Sequence, residues 1–218
     1  SIYECRKNFG KELACESPCI ADVVVPVPDS GVPAALGYAE AGGLPFGLGI
    51  IRNHYVGRTF IEPQQSSRDF GVKLKHNINR QVVSGKKVVL IDDSIVRGTT
   101  SVKIVQLMRQ AGAREVHMKI ASPPIKYPDF YGIDTPKKEQ LLASMKTEKE
   151  MADFIGADSL SFLSINGLYR AMGHKGGRDD GDPAFTDHCF TGDYPTSLKD
   201  NNANWLFETS QLAVVNEN

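Results

Sequence analysis

The stretch "KKVVLIDDSIVRGTTSVKIVQLMRQAGA", residues 86 to 113, constrains the fold more than any other part of the chain. An apolar run, "KKVVLID", too short for a helix of its own, reads as a strand buried on both faces, as in a parallel sheet. It ends in two adjacent carboxylates, Asp92 and Asp93. A glycine, Gly98, and three hydroxyl residues, Thr99, Thr100 and Ser101, come next. An amphipathic helix then begins near Thr99 and closes at Gly112. In parallel α/β sheets, ligands bind beyond the carboxyl ends of the strands, where the acids stand. A helix N-terminus preceded by glycine offers free backbone N–H groups to an anion such as phosphate. The acids cannot hold that anion. They can accept hydrogen bonds from sugar hydroxyls or hold Mg²⁺. The whole string therefore suits a phosphorylated sugar. Two other readings fit the acid pair alone: a ligand-free helix cap, and a receiver-type phosphoacceptor.

The remaining pattern extends the strand–helix alternation. Residues 1 to 16 predict a helix, with Ser1 and Glu4 at capping-box spacing and Ile2, Cys5, Phe9 and Leu13 on one face. "ADVVVPVPDSG" reads as a buried strand entering a turn-rich loop, and "VPAALGYAEAGG" as a helix with a glycine stop. "PFGLGII" is expected to be a second strand, "EVHMKIAS" a further one, and "EKEMADFIGA" and "SINGLYRAMG" helices. The expected fold is α/β, with a mainly parallel twisted sheet flanked by helices. From Gly173 the chain is polar and rich in Gly, Asp and Asn. The expected organisation is a domain over 1–172 and a partly ordered, irregular tail over 173–218.

The formal net charge of −1 gives no bulk electrostatic reason to expect nucleic acid or membrane as a partner. No apolar run approaches the roughly 20 residues that cross a bilayer, and the start has no signal-peptide core. The four cysteines, Cys5, Cys15, Cys19 and Cys189, form no disulfide framework. Reduced thiols and a cytoplasmic location are expected. Cys15 and Cys19 have the spacing to share a helix face. Between Arg52 and Arg80 stand six basic residues (Arg52, Arg58, Arg68, Lys73, Lys75 and Arg80) against two acids, Glu62 and Asp69. A long basic segment beside an anion site reads as a mobile lid that excludes water, with Tyr55 and Arg58 the candidates for contact. His54 reads as a packing or hydrogen-bonding residue, with a general base the alternative.

"VVLIDDSIVRGTTS" resembles the signature of the type I phosphoribosyltransferases, which bind 5-phosphoribosyl-1-pyrophosphate (PRPP). "VPVPDSG", "RNHYVGRTFI", "SPPIKYPDFYGIDTP" and "FIGADSL" resemble more narrowly the glutamine PRPP amidotransferases, or amidophosphoribosyltransferases. The resemblance implies the type I phosphoribosyltransferase fold. It also implies transfer of an amino group from ammonia to C1 of PRPP, giving 5-phosphoribosylamine and pyrophosphate in the first committed step of purine biosynthesis. It places Asp92 and Asp93 on the ribose hydroxyls and Mg²⁺. Arg97, Gly98, Thr99, Thr100 and Ser101 would hold the 5′-phosphate. Asp29, Ser30 and Gly31 would hold the pyrophosphate, with Ser30 near the metal.

Purine-base relatives carry an acid where this chain has Val96, which fits an ammonia nucleophile. The resemblance further implies a homo-oligomer, purine nucleotides as feedback inhibitors, and a partner glutaminase domain that supplies ammonia from glutamine. No residue of this chain takes that glutaminase role. Some members hold an iron–sulfur cluster through cysteines that would fall in "PDFYG" and "TDHCFTG". Asp129 and Thr186 stand there, and no cluster is expected. A stand-alone nucleobase phosphoribosyltransferase and a PRPP-binding regulator are the alternative functions.

Overall fold

A computed structural model describes residues 1–52 and 76–198. Tyr55, Arg58, His54 and most of the basic segment lie outside the described residues, as does the end of the tail. Four strands form one sheet: β1 (Val23–Pro26), β4 (Lys87–Asp92), β5 (Glu115–Ile120) and β6 (Ser159–Phe162). Their order is β1-β4-β5-β6, and every neighbouring pair is parallel. The apolar runs pair because each has two faces to bury. Val23, Val25, Val88, Leu90, Val116 and Met118 point to one side. There they meet Ile104, Val105 and Met108 of α4 (Thr99–Gln110), and Met151 and Ile155 of α6 (Glu148–Ile155). The alternate residues Val24, Val89 and Ile91 point to the other side, against α1 (Ile2–Glu16) and α2 (Val32–Gly42). Helix α6 begins with a complete capping box, Thr147 with Glu150.

Several sequence expectations change. "PFGLGII" does not join the sheet as a strand. Phe46 makes only an isolated parallel bridge to Val24, and β2 (Ile50–Arg52) pairs antiparallel with β3 (His76–Ile78) in a separate ribbon. The glycines Gly47 and Gly49 lie against Val23, Val25 and Val83, where a side chain would collide, so that segment packs as backbone across the sheet's edge. The fourth sheet strand is β6, whose "SLSF" is too short and mixed to read as one in isolation. Cys15 lies within α1 and Cys19 beyond its end, so the two share no helix face.

In α1 the buried residues are Gly10, Leu13 and Ala14, whereas Ile2 is exposed and Ser1 makes no side-chain cap bond. Glycines set this face. A methyl on Gly10 would stand 1.8 Å from the Ala34 carbonyl oxygen, and one on Gly37 would stand 1.9 Å from that of Lys7. Helices α1 and α2 thus cross backbone against backbone, and the residues at the crossing are buried whatever their hydrophobicity. Salt bridges from Lys7 and Lys11 to Glu40 flank the crossing.

The described part of the tail docks. Arg178, nearly buried, donates to Asp187 through Nε at 2.7 Å and to Asp193 through Nη2 at 2.6 Å. The Tyr169 hydroxyl on α7 (Ile165–Ala171) donates to the same Asp187 carboxylate at 2.7 Å. The last described helix, α8 (His188–Thr191), follows directly. Among the described residues no helix is long and apolar enough to cross a membrane.

Gly37→Ala should lower stability by at least roughly 1–3 kcal/mol, because the clash is with backbone that cannot rotate away. The urea midpoint should fall with an unchanged slope, and an unchanged midpoint would count against the crossing as described.

Candidate active site

The carboxyl ends of β1 and β4 build the site. The Val27 amide donates to the Ile91 carbonyl at 2.8 Å, so the chain leaving β1 stays beside the end of β4. The loop Asp29–Gly31 then turns back, and the Gly31 amide donates to the Val27 carbonyl at 3.0 Å. A methyl on Gly31 would lie 2.6 Å from the Ile91 carbonyl oxygen and 2.8 Å from that of Val27. Only glycine permits this approach, and the approach brings Ser30 to Asp93. Both line a cavity of about 170 Å³ that also touches Arg6, Phe9, Leu168 and Phe190.

Asp92 is the last residue of β4 and is almost fully buried. Its Oδ1 accepts the Asp93 amide at 2.9 Å, and the Ser94 hydroxyl donates to Asp93 Oδ1 at 3.0 Å. Beyond them the loop is anchored from below. Ile95 is buried, and the Val96 carbonyl accepts the Leu142 amide at 2.8 Å. Gly98 has φ of 74° and is the N-cap of α4. Leu142 and Phe154 press against its α-carbon, leaving no room for a side chain. Thr99, Thr100 and Ser101 form the first turn of α4, whose leading N–H groups have no intrahelical acceptor. Ser101 is buried, and Thr99 and Thr100 are exposed. Arg97 turns outward instead and donates through Nη2 to Gln140 Oε1 at 3.0 Å.

The acid pair thus lies between the Asp29–Gly31 loop and the helix N-terminus. Two contacts at its border escaped sequence reasoning. Leu142 and Phe154 shape the Gly98 turn from elements distant in sequence. Arg52, counted only as one of many basic residues, donates through Nη1 to Asp29 Oδ2 at 2.5 Å.

Burial pushes the Asp92 carboxyl up to about 7, with the neighbouring Asp93 charge adding to the shift and the Asp93 amide opposing it. Below that pH the group is neutral, and above it a buried anion lacks a cation among the described residues. Oxygen donors of this kind, two carboxylates with the Ser30 hydroxyl nearby, suit a hard divalent cation such as Mg²⁺.

A different donor set stands at the cluster positions. Asp129 accepts from His188 Nε2 at 2.8 Å, and its other oxygen accepts the Tyr131 and Ile133 amides. Cys189 stands beside them, with the three ligand atoms within 4.8 Å of one another. One thiol, an imidazole and a carboxylate already engaged with each other do not match the thiolates that hold an iron–sulfur cluster.

The raised Asp92 value has a stability sign. Because its folded-state pKa exceeds the unfolded one, the group favours folding at low pH, and that contribution is lost as pH rises through about 7. Asp92→Asn should therefore stabilise the domain at pH 8, by an amount on the order of 2–4 kcal/mol, with a smaller gain at pH 5 and none below the unfolded carboxylate's own range. Denaturant titrations at the two pH values check this. Equal stability changes at both would refute a buried, reluctant anion.

Comparison with known proteins fits this geometry. A phosphoribosyl transferase domain matches residues 18–122. The chain is 66% identical over 203 residues to the amidophosphoribosyltransferase of Rhizobium etli, covering 93% of this chain and 41% of that protein. It is 57% identical to a chloroplastic amidophosphoribosyltransferase of Arabidopsis thaliana, covering 89% of this chain and 33% of that protein. The solved glutamine PRPP amidotransferase of Bacillus subtilis, complexed with ADP and GMP, superposes with a TM-score of 0.81 at 55% identity. That match covers 91% of this chain and 43% of the other. The chain thus spans between a third and somewhat over two-fifths of the curated relatives it matches. The matched domain and the parallel sheet show that residues 18–122 form a phosphoribosyl transferase domain, and along nearly its whole length the chain is similar to one part of the amidophosphoribosyltransferases.

Proposed function

We propose that the chain binds PRPP and transfers the nitrogen of ammonia to C1 of its ribose, releasing pyrophosphate. The observation that carries this reading is that Ser30 and Asp93 line one cavity at the strand ends, with the N-terminus of α4 a few residues further along the same loop. Three chemistries then line up as PRPP requires. The amides and hydroxyls of Thr99, Thr100 and Ser101, behind Gly98 and Arg97, hold the 5′-phosphate. Asp92 and Asp93 accept hydrogen bonds from the ribose hydroxyls. The loop of Asp29, Ser30 and Gly31 faces the pyrophosphate.

Reaction occurs as the C1–O bond to pyrophosphate breaks and the ammonia lone pair forms the C1–N bond. The electron pair of the broken bond leaves with pyrophosphate, and a proton of the new ammonium group passes to solvent. Mg²⁺, when bound by oxygen donors from Asp92, Asp93 and Ser30, supplies positive charge that stabilises the leaving group. The protein's residues contribute position: the fixed loops hold C1 and its leaving group in one orientation. Tyr55 and Arg58 stay in this reading as residues that contact the reacting centre, by resemblance alone. Val96 leaves the region beyond the acids without a base for a nucleobase proton. Whole relatives extend well beyond the matched part, and the ammonia is proposed to come from glutamine through a glutaminase domain there. Binding of purine nucleotides is proposed by kinship with the protein solved with ADP and GMP, and assembly into homo-oligomers in the cytoplasm by resemblance.

Pyrophosphate release from PRPP with Mg²⁺ tests the reading. Ammonium salt should support it, whereas glutamine or adenine should not. The rate should climb between pH 6 and 9 as ammonium deprotonates. Activity with adenine and none with ammonium would establish a nucleobase transferase instead.

Asp93→Asn should weaken Mg²⁺–PRPP binding by about 1.5–3 kcal/mol, the worth of a hydrogen bond to a charged group, while leaving the urea midpoint close to that of the parent chain. Calorimetry showing unchanged affinity would remove Asp93 from the sugar site.

A further inference from the structure

A carboxylate in a loop that faces pyrophosphate is a physical anomaly, because two anions side by side repel. Asp29 is such a group, on the reading given above. In the structure it has a cationic partner. Its Oδ2 accepts from Arg52 Nη1 at 2.5 Å, in an ion pair whose partners are 32% exposed at the arginine and 56% at the aspartate. Arg52 is the last residue of β2, and the register Ile50↔Ile78 and Arg52↔His76 ties that strand into its ribbon. The guanidinium is therefore delivered from a paired strand to the edge of the Asp29–Gly31 loop. Its Nε is buried and has no hydrogen-bond partner among the described residues. A buried donor without an acceptor is unfavourable, and an arriving anion would relieve it.

We propose that Arg52 is a pyrophosphate-binding residue of this site and that Asp29 is its internal stand-in anion, which the pyrophosphate group displaces. The inference rests on the assignment of the Asp29–Gly31 loop to pyrophosphate. A guanidinium matches two phosphate oxygens with its planar fork, and this match uses Nε as well as a terminal nitrogen. The single bond to Asp29 uses only Nη1. Pyrophosphate carries more charge than one carboxylate, so it wins the exchange, and Asp29, already half exposed, turns to water. On product release the exchange reverses: the carboxylate recaptures Arg52 and lowers the affinity for the departing pyrophosphate. Asp29 then acts on the ligand only through Arg52, as a positioning residue and a competitor.

Calorimetric titration of two probes, Mg²⁺–pyrophosphate and ribose 5-phosphate, separates these roles. Arg52→Gln should weaken pyrophosphate roughly tenfold or more and leave ribose 5-phosphate unchanged, which also shows that the variant is folded. Arg52→Lys, which keeps the charge but loses the fork, should fall between. Asp29→Asn should tighten pyrophosphate several-fold by removing its competitor. In the double variant the aspartate change should have no effect, since it has no Arg52 to release. Weaker pyrophosphate binding in Asp29→Asn would overturn the proposal, as would equal loss of both probes in Arg52→Gln. A parent chain that binds both probes, with Arg52→Gln matching it, would overturn this inference and leave the PRPP reading intact. A parent chain that binds neither probe would overturn both.

Discussion

The contact on which the site depends is the backbone-to-backbone approach of Gly31 to the end of β4. Parallel pairing of β1 with β4 brings the two strand ends level, and the Val27–Ile91 hydrogen bond continues that pairing one residue past the sheet. Gly31 then packs where no side chain fits, against the Ile91 and Val27 carbonyls. Ser30 and Asp93 come to line one cavity as a consequence. A bulkier residue would push the loop off the sheet and separate Ser30 from Asp93. Distance between the Asp29–Gly31 loop and the acids is thereby set by strand spacing rather than by flexible side chains.

The acids illustrate the usual opposition between stability and binding. Asp92 is placed at the end of a strand buried on both faces, where its charged form is disfavoured and its carboxyl is pushed up to about 7. A neutral residue would suit the empty fold better. On the proposed reading that burial is useful: water competes poorly there, so a sugar hydroxyl or a cation would meet a carboxylate with little else to bind. Asp93, one residue on, is half exposed and steadied by Ser94. One acid is thus held reluctantly in the core while its neighbour faces the cavity.

Elements far from the acids also reach the site. Helix α1 supplies Arg6 and Phe9 to the cavity wall, α7 supplies Leu168, and α8 supplies Phe190. The tail is brought there by the Arg178–Asp187–Tyr169 network and by amides of Lys126 and Tyr127 donating to the Cys189 carbonyl. A segment rich in Gly and Asp forms ordered structure here because its charges neutralise one another at a nearly buried arginine. Composition alone points the other way, towards a loose tail, since it counts charges without their partners.

Local sequence determined the strand–acid–glycine–helix unit of residues 86 to 113, its place at a carboxyl end, and the α/β class. Those features follow from hydrophobic period, buried β-branched runs and the special conformation of Gly98, all of which act within a few residues. Helices α4, α6 and α7 were legible for the same reason. Tertiary structure alone decided that β6 rather than "PFGLGII" is the fourth sheet strand, because a short mixed strand is chosen by the neighbour it pairs with. It also decided that α1 buries Gly10 and Ala14 while Ile2 stays exposed, because the crossing with α2 selects for closeness of backbone. And it alone decided that Asp29 faces Arg52, since two residues separated by a strand and a helix become partners only when the chain between them has folded.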